Sequence, residues 1–224
     1  MTFPCAVRAV VFDMDGLLFD TEELFFQAMC AAGSEAGHDV SRAFFLGLVG
    51  LPADRNFERM RDHFGAGFPA EAFHARCHDH FHALEHHMAL KPGVIELLDR
   101  LDQLHLPRAI ATSSARQNVE RNLDRFGLAH RFDAVLAAGD YRHGKPHPAP
   151  YLAAAAALRV APVDCLALED SHNGVRSAAA AGMMTIMVPD LLEATDEIAA
   201  LALHVARDLN EVRIVLGAQR TMPL

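Results

Sequence analysis

Two aspartates spaced i, i+2 stand near the start of the chain, in Val10-Val11-Phe12-Asp13-Met14-Asp15-Gly16. They follow a short apolar run, Ala9 to Phe12, that reads as a buried strand. Alternation along an extended chain points i and i+2 the same way, so Asp13 and Asp15 are expected to share one site at the strand's end. Two close carboxylates repel unless a proton or a cation sits between them. Three more groups carry chemistry of the same kind: Thr112-Ser113-Ser114, Gly144-Lys145-Pro146 and Glu169-Asp170-Ser171. Acids gathered at one rim suit a hard divalent cation with oxygen ligands, and Mg2+ is the natural choice. A lysine and hydroxyls beside that cation suit an anion, and phosphate fits. A carboxylate attacks phosphorus only when the charges of both are screened, which the cation and the lysine do together.

Each group also has a plainer use. Asp-Gly marks a turn after a strand. Thr-Ser-Ser before a helix is commonly an N-cap. A lysine is commonly solvated. Glu169-Asp170 would favour the positive end of the helix that follows. Taken singly, these uses outweigh function. Their joint appearance, in this order and on consecutive strand ends, favours one site.

The elements that must position these residues alternate. A helix from Val94 to Leu104 leads to a strand from Arg108 to Thr112. A helix from about Gln117 to Phe126 leads to a strand from Ala134 to Ala137. A helix of small residues, about Ala149 to Leu158, leads to a strand from Cys165 to Glu169. A last helix, Ser171 to Ala181, leads to a strand from Met184 to Val188. Such alternation predicts an α/β fold: a Rossmann-like parallel sheet with helices on both faces. In open parallel sheets, ligands bind outside the carboxyl ends of the strands, where all four groups fall.

Between the first strand and the rest lies a stretch that reads as all-helical and carries most of the aromatics. Leu24, Phe25, Ala28, Met29 and Ala32 follow a helical period, which Gly33 and Gly37 are expected to loosen. Lys91-Pro92-Gly93 is a clear break. The expected organisation is a core domain of residues 1–19 and 91–224, interrupted by a helical cap domain of residues 20–90, with hinges near Phe19-Asp20 and Leu90-Lys91. The end, Thr221 to Leu224, is expected to fray.

Composition narrows the partners. A net charge of −9 argues against a nucleic-acid partner, which needs a basic surface. The four cysteines, Cys5, Cys30, Cys77 and Cys165, have no Cys-x-x-Cys spacing, so reduced thiols in the cytoplasm are expected. No signal peptide and no run of about 20 apolar residues for a membrane span is seen. The sequence leaves the oligomeric state open, a monomer included.

Asp13-Met14-Asp15-Gly16-Leu17-Leu18-Phe19-Asp20-Thr21-Glu22, Thr112-Ser113-Ser114, Gly144-Lys145-Pro146-His147-Pro148 and Leu168-Glu169-Asp170-Ser171-His172-Asn173-Gly174 resemble the four motifs of the haloacid dehalogenase-like superfamily. The β-phosphoglucomutase-like and sugar-phosphatase branch looks most similar. The resemblance covers nearly all of the core; the cap matches only in position and helical character. It implies an Mg2+-dependent phosphatase for a small phosphate ester. Asp13 would be the nucleophile, forming an aspartyl-phosphate. Asp15 would be general acid and then base, with its main-chain carbonyl on Mg2+. Asp170 would be a metal ligand, and Glu169 would ligate directly or through water. Thr112, the Ser113 amide and Lys145 would hold the phosphoryl oxygens, with Ser114 beside them.

The reaction type follows from departures within the family. The dehalogenase branch lacks the second aspartate, which is present here as Asp15. Phosphonate cleavage needs a Schiff-base lysine, and residues 21–90 contain no lysine. The mutase has a cap histidine four residues after the position of Thr21, where Phe25 stands here. It also has an arginine three residues after a cap glycine; if Gly50 is that glycine, Ala53 stands there, with Arg55 nearby. These departures favour transfer to water and place Phe25 toward the substrate entrance, with core packing as the plainer use of a helix aromatic and Arg55 as a nearby substitute for the missing arginine. A phosphomutase and a non-catalytic phosphate-binding module remain the alternatives. His74, His78, His82 and His86 stand four apart, a spacing that can bind Zn2+ or Ni2+, though a solvated helix face accounts for it too.

Overall fold

The computed structural model describes residues 3–51 and 53–217. Residues 221–224, expected to fray, lie outside them. The chain divides into two compact units: residues 3–18 with 90–217, and Phe19–Ala89. In chain order, β1 (Ala9–Phe12) precedes α1 (Thr21–Glu35), α2 (Arg42–Leu46), α3 (Ala53–Phe64) and α4 (Ala70–Leu84). Then come α5 (Val94–Gln103), β2 (Arg108–Ala115), α6 (Arg116–Arg125), β3 (Ala134–Ala138) and α7 (Ala149–Leu158). The series closes with β4 (Cys165–Glu169), α8 (His172–Ala180), β5 (Met184–Met187), α9 (Asp196–Leu201), β6 (His204–Val205) and α10 (Leu209–Gly217).

The strands form one six-stranded sheet among the described residues, in the order β3-β2-β1-β4-β5-β6, with every pairing parallel. All four residues of β1 are buried, as expected of a central strand covered on both faces. Ala9 and Val11 face a cluster with Ala109, Ala111, Ala167, Tyr151, Ala154 and Ala155. These small side chains let α7 lie close to the sheet. Val10 and Phe12 point the other way and are fully buried as well. Phe12 meets Phe132 edge-on at 5.7 Å. Removing a buried ring of this kind costs about 3–5 kcal/mol, here one residue before Asp13.

The α/β fold is the expected one, with three additions. β2 runs on through Thr112-Ser113-Ser114 to Ala115, its register against β3 shifting between Ala111 and Ala115. The hydroxyl triplet is therefore not a helix cap: the N-cap of α6 is Ala115, with no side-chain bond. Nor do Glu169 and Asp170 cap α8, since Ser171 accepts from the Gly174 amide. Beyond β5, the periodicity did not announce α9, β6 and α10, which are short or only partly buried.

In the helical unit, α1 does not loosen at Gly33 but continues to Glu35. A Cβ there would lie 2.6 Å from a Val40 methyl and 2.9 Å from the His38 carbonyl oxygen. Gly33 thus serves close packing inside the helix, while Gly37, at φ +73, makes the turn after it. Phe64, Phe68 and Phe73 pack ring to ring, joined by His38. His74 and His78 lie 4.6 Å apart on α4, against Phe25. His82 bonds Glu85, and His86 bonds the Ala83 carbonyl. Among the described residues these histidines form no three-ligand group, and no helix is long and apolar enough to cross a membrane.

Candidate active site

Asp13 lies one residue beyond β1. Its amide donates to the Leu168 carbonyl of β4 at 2.9 Å, so the ladder fixes its position. Lys145, from the loop between β3 and α7, donates to Asp13 Oδ1 and, at 2.5 Å, to Glu169 Oε1. The Glu169 side chain is fully buried at the end of β4, and those of Lys145 and Asp13 are 7% and 9% exposed. The structure therefore brings Asp13, Lys145 and Glu169 together from three separate segments.

Four donors hold Glu169. Lys145 and the Tyr151 hydroxyl, at 2.6 Å, share Oε1. The Ser171 amide and hydroxyl reach Oε2 at 3.2 and 3.0 Å. The carboxylate presses onto α8, where a Cβ on Gly174 would stand 1.8 Å from it. Asp170, the next residue, is crowded by Gly16 in the same way: a Cβ there would lie 2.3 Å from Asp170 Oδ2, and Gly16 has φ +79.

β1 ends at Phe12, so strand alternation is not what brings the Asp13 carboxylate within reach of the charge of Asp15. The Asp15 carboxylate accepts from the Ser114 hydroxyl at 2.6 Å and the Thr112 hydroxyl at 3.4 Å. The Ser114 amide donates to Thr112 Oγ1 at 3.1 Å. The Tyr141 hydroxyl donates to the Thr112 carbonyl at 2.7 Å, with Ser113 alongside. The site thus has two linked halves: Asp13-Lys145-Glu169-Asp170, and Asp15-Thr112-Ser114.

Burial is the main reason the Asp13 carboxyl is pushed up to about 8; the charges of Glu169 and Asp15 add to it and Lys145 opposes it. Burial alone would lower Lys145, but Asp13 and Glu169 outweigh it and hold the ammonium above its usual range. One ammonium does not offset the acids around it. Carboxylate oxygens of Asp13, Glu169 and Asp170 lie within 4.8 Å of one another, an all-oxygen donor set that fits a hard divalent cation such as Mg2+. The Asp15 carboxylate is outside that set.

In the helical unit, Phe25 packs on Phe81 with centroids 5.9 Å apart, besides His74 and His78. Arg55 is exposed and ion-pairs with Glu58 at 2.7 Å. No sequence motif marks Tyr141 or Tyr151 as part of the site, or Gly16 and Gly174 as the glycines that crowd its acids. One signal was available: the chain has only two tyrosines, and both bond into this rim.

The model of the haloacid dehalogenase-like hydrolase family matches residues 10–188. Hexitol phosphatase B of Escherichia coli K12 is 34% identical over 192 residues, covering 84% of this chain and 86% of that protein. CbbY from Rhodobacter sphaeroides, solved in complex with xylulose-(1,5)bisphosphate, is 28% identical, with a TM-score of 0.74 over 92% of this chain and 96% of that one. β-Phosphoglucomutase from Clostridium difficile, 21% identical, shares the fold at a TM-score of 0.74 over 94% and 97% of the two chains. The chain belongs to the haloacid dehalogenase-like hydrolase family. Within it, the solved structures it resembles include β-phosphoglucomutase-like members.

Proposed function

We propose that the protein is an Mg2+-dependent phosphomonoester hydrolase acting on a small phosphorylated metabolite, of the sugar-phosphate kind, through an aspartyl-phosphate on Asp13. The observation that carries this reading is the ammonium of Lys145 on Asp13 Oδ1, with Asp15 held separately by Ser114 and Thr112. Mg2+ would be held by Asp13, Asp170 and the Asp15 carbonyl, with Glu169 ligating directly or through water, and would screen charge between the carboxylate and the phosphoryl group.

A carboxylate oxygen of Asp13 attacks phosphorus and the ester P–O bond breaks. Asp15 gives its proton to the departing alkoxide, so the alcohol leaves neutral. Asp15, now ionised, takes a proton from water as that water attacks phosphorus. The Asp13–phosphorus bond breaks, and inorganic phosphate leaves. Ser114 holds the Asp15 carboxyl in place throughout, and the Thr112 hydroxyl turns from Asp15 to the phosphoryl group when it binds. Lys145, with Thr112 and the Ser113 amide, binds the phosphoryl oxygens, and Glu169 anchors Lys145. Phe25 and Arg55 of the helical unit are assigned to reading the rest of the substrate.

Turnover of a panel of sugar phosphates, followed with labelled phosphate, tests this. Label released as inorganic phosphate, dependent on Mg2+ and lost with chelator, supports it. Label retained on a second hydroxyl of the sugar favours the phosphomutase. No turnover, with phosphate still bound, favours a binding module. Phe25→Ala and Arg55→Ala should reorder the panel while leaving acetyl phosphate hydrolysis unchanged; an unchanged order removes their assignment.

A further inference from the structure

The rim carries one more acid, outside the four motifs. Asp190 stands just past β5, the strand beside β4. Its side chain is 8% exposed, and Oδ1 accepts from Lys91 Nζ at 2.5 Å. The second oxygen, Oδ2, is buried and receives no hydrogen bond among the described residues. A Cβ on Gly16 would lie 2.3 Å from Asp170 Oδ2 and 3.3 Å from Asp190 Oδ2. The two acids therefore converge on the backbone that follows Asp15. An ion pair with Lys91 explains Oδ1 alone. It leaves a carboxylate oxygen without a donor beside the same glycine as another acid, an arrangement that calls for a donor there.

We propose that Asp190 is a positioning residue of the cation site. Its Oδ2 accepts a hydrogen bond from a water on the divalent cation held through Asp13 and Asp170, while Lys91 holds the carboxylate in place. The proposal rests on the Mg2+ reading of the site. Partners of this outer kind typically change metal affinity 10- to 100-fold.

The test is direct binding of Mg2+, by titration calorimetry, and of Mn2+, by electron paramagnetic resonance, to the full chain. Asp190→Asn should weaken both about ten-fold or more. The double variant Asp190→Leu with Lys91→Met restores charge balance and removes the acceptor, so it should stay weak. Affinity within two-fold of wild type in Asp190→Asn, or recovery in the double variant, overturns the proposal. If Asp190→Asn does not fold, Asp190→Glu takes its place: it keeps the charge but displaces the oxygen, and it too should bind about ten-fold more weakly, wild-type affinity overturning the proposal. A wild-type protein that binds neither ion and hydrolyses phosphate esters without them overturns the Mg2+ reading and this proposal with it. Normal wild-type binding with an unaffected variant overturns this proposal alone.

Discussion

The hydroxyl of Tyr151 donates to Glu169 Oε1 at 2.6 Å, the same oxygen that receives Lys145 at 2.5 Å. Tyr151 therefore limits where Glu169 sits, and Glu169 limits where Lys145 meets Asp13. Tyr151→Phe keeps the ring in the Ala9-Ala167 cluster and removes only the donor. Losing a hydrogen bond to a charged group should cost about 1.5–3 kcal/mol of stability. It should also lower kcat about ten-fold, or about 1.4 kcal/mol. Thermal melting and steady-state kinetics read the two separately. An unchanged kcat with lowered stability would confine Tyr151 to the core.

Gly174 is the counterpart on the helix side. Its missing Cβ is the space that the Glu169 carboxylate occupies, at 1.8 Å. Gly174→Ala must move either α8 or Glu169. The variant should lose about 1–3 kcal/mol of stability. Activity should fall even at temperatures where the fold is intact. Retention of full kcat there would mean that the placement of Glu169 is not needed for turnover.

Asp13 and Asp15 are predicted to fail differently. Asp13→Asn should abolish turnover of every substrate. Asp15→Asn should slow alkyl phosphates by about 10²–10⁴-fold, the usual worth of a general acid. It should slow a nitrophenyl phosphate far less, because that leaving group needs little protonation. Equal losses on both substrates would remove Asp15 as the proton donor.

Much of this arrangement was legible because chemistry sat at strand ends. The apolar run before Asp13 and the run ending at Glu169 are neighbouring strands, so register alone brings their exits together. What was not legible depends on tertiary approach. Tyr151 lies in a helix of small residues and Asp190 follows β5, and nothing adjacent in sequence marks the approach of either to the rim. Gly33 is expected to loosen α1 because the closeness of Val40 is invisible in sequence. Asp13 and Asp15 act on one another although β1 stops at Phe12 and alternation does not extend to them.

His74 and His78 give the helical unit a pH response. Burial lowers both below the usual 6.5; the charges of His74 and His82 lower His78 further, and Asp79 opposes. A histidine with a folded pKa below its unfolded one binds protons more readily when unfolded. The stability is therefore whole above about pH 6.5 and is lost as pH falls through the lower folded values. Replacing both with glutamine should flatten the fall in melting temperature between about pH 7.5 and 5.5. A slope identical to wild type would show that other groups set it.

The covalent step proposed on Asp13 is tested most directly by chemical trapping. Enzyme turning over a sugar phosphate with Mg2+ is quenched with borohydride, which reduces an acyl phosphate to the alcohol, and the peptides are mapped. The predicted result is homoserine at position 13 in the wild type and none in Asp13→Asn. Phosphate release at the wild-type rate with residue 13 unmodified, or turnover by Asp13→Asn, would contradict it.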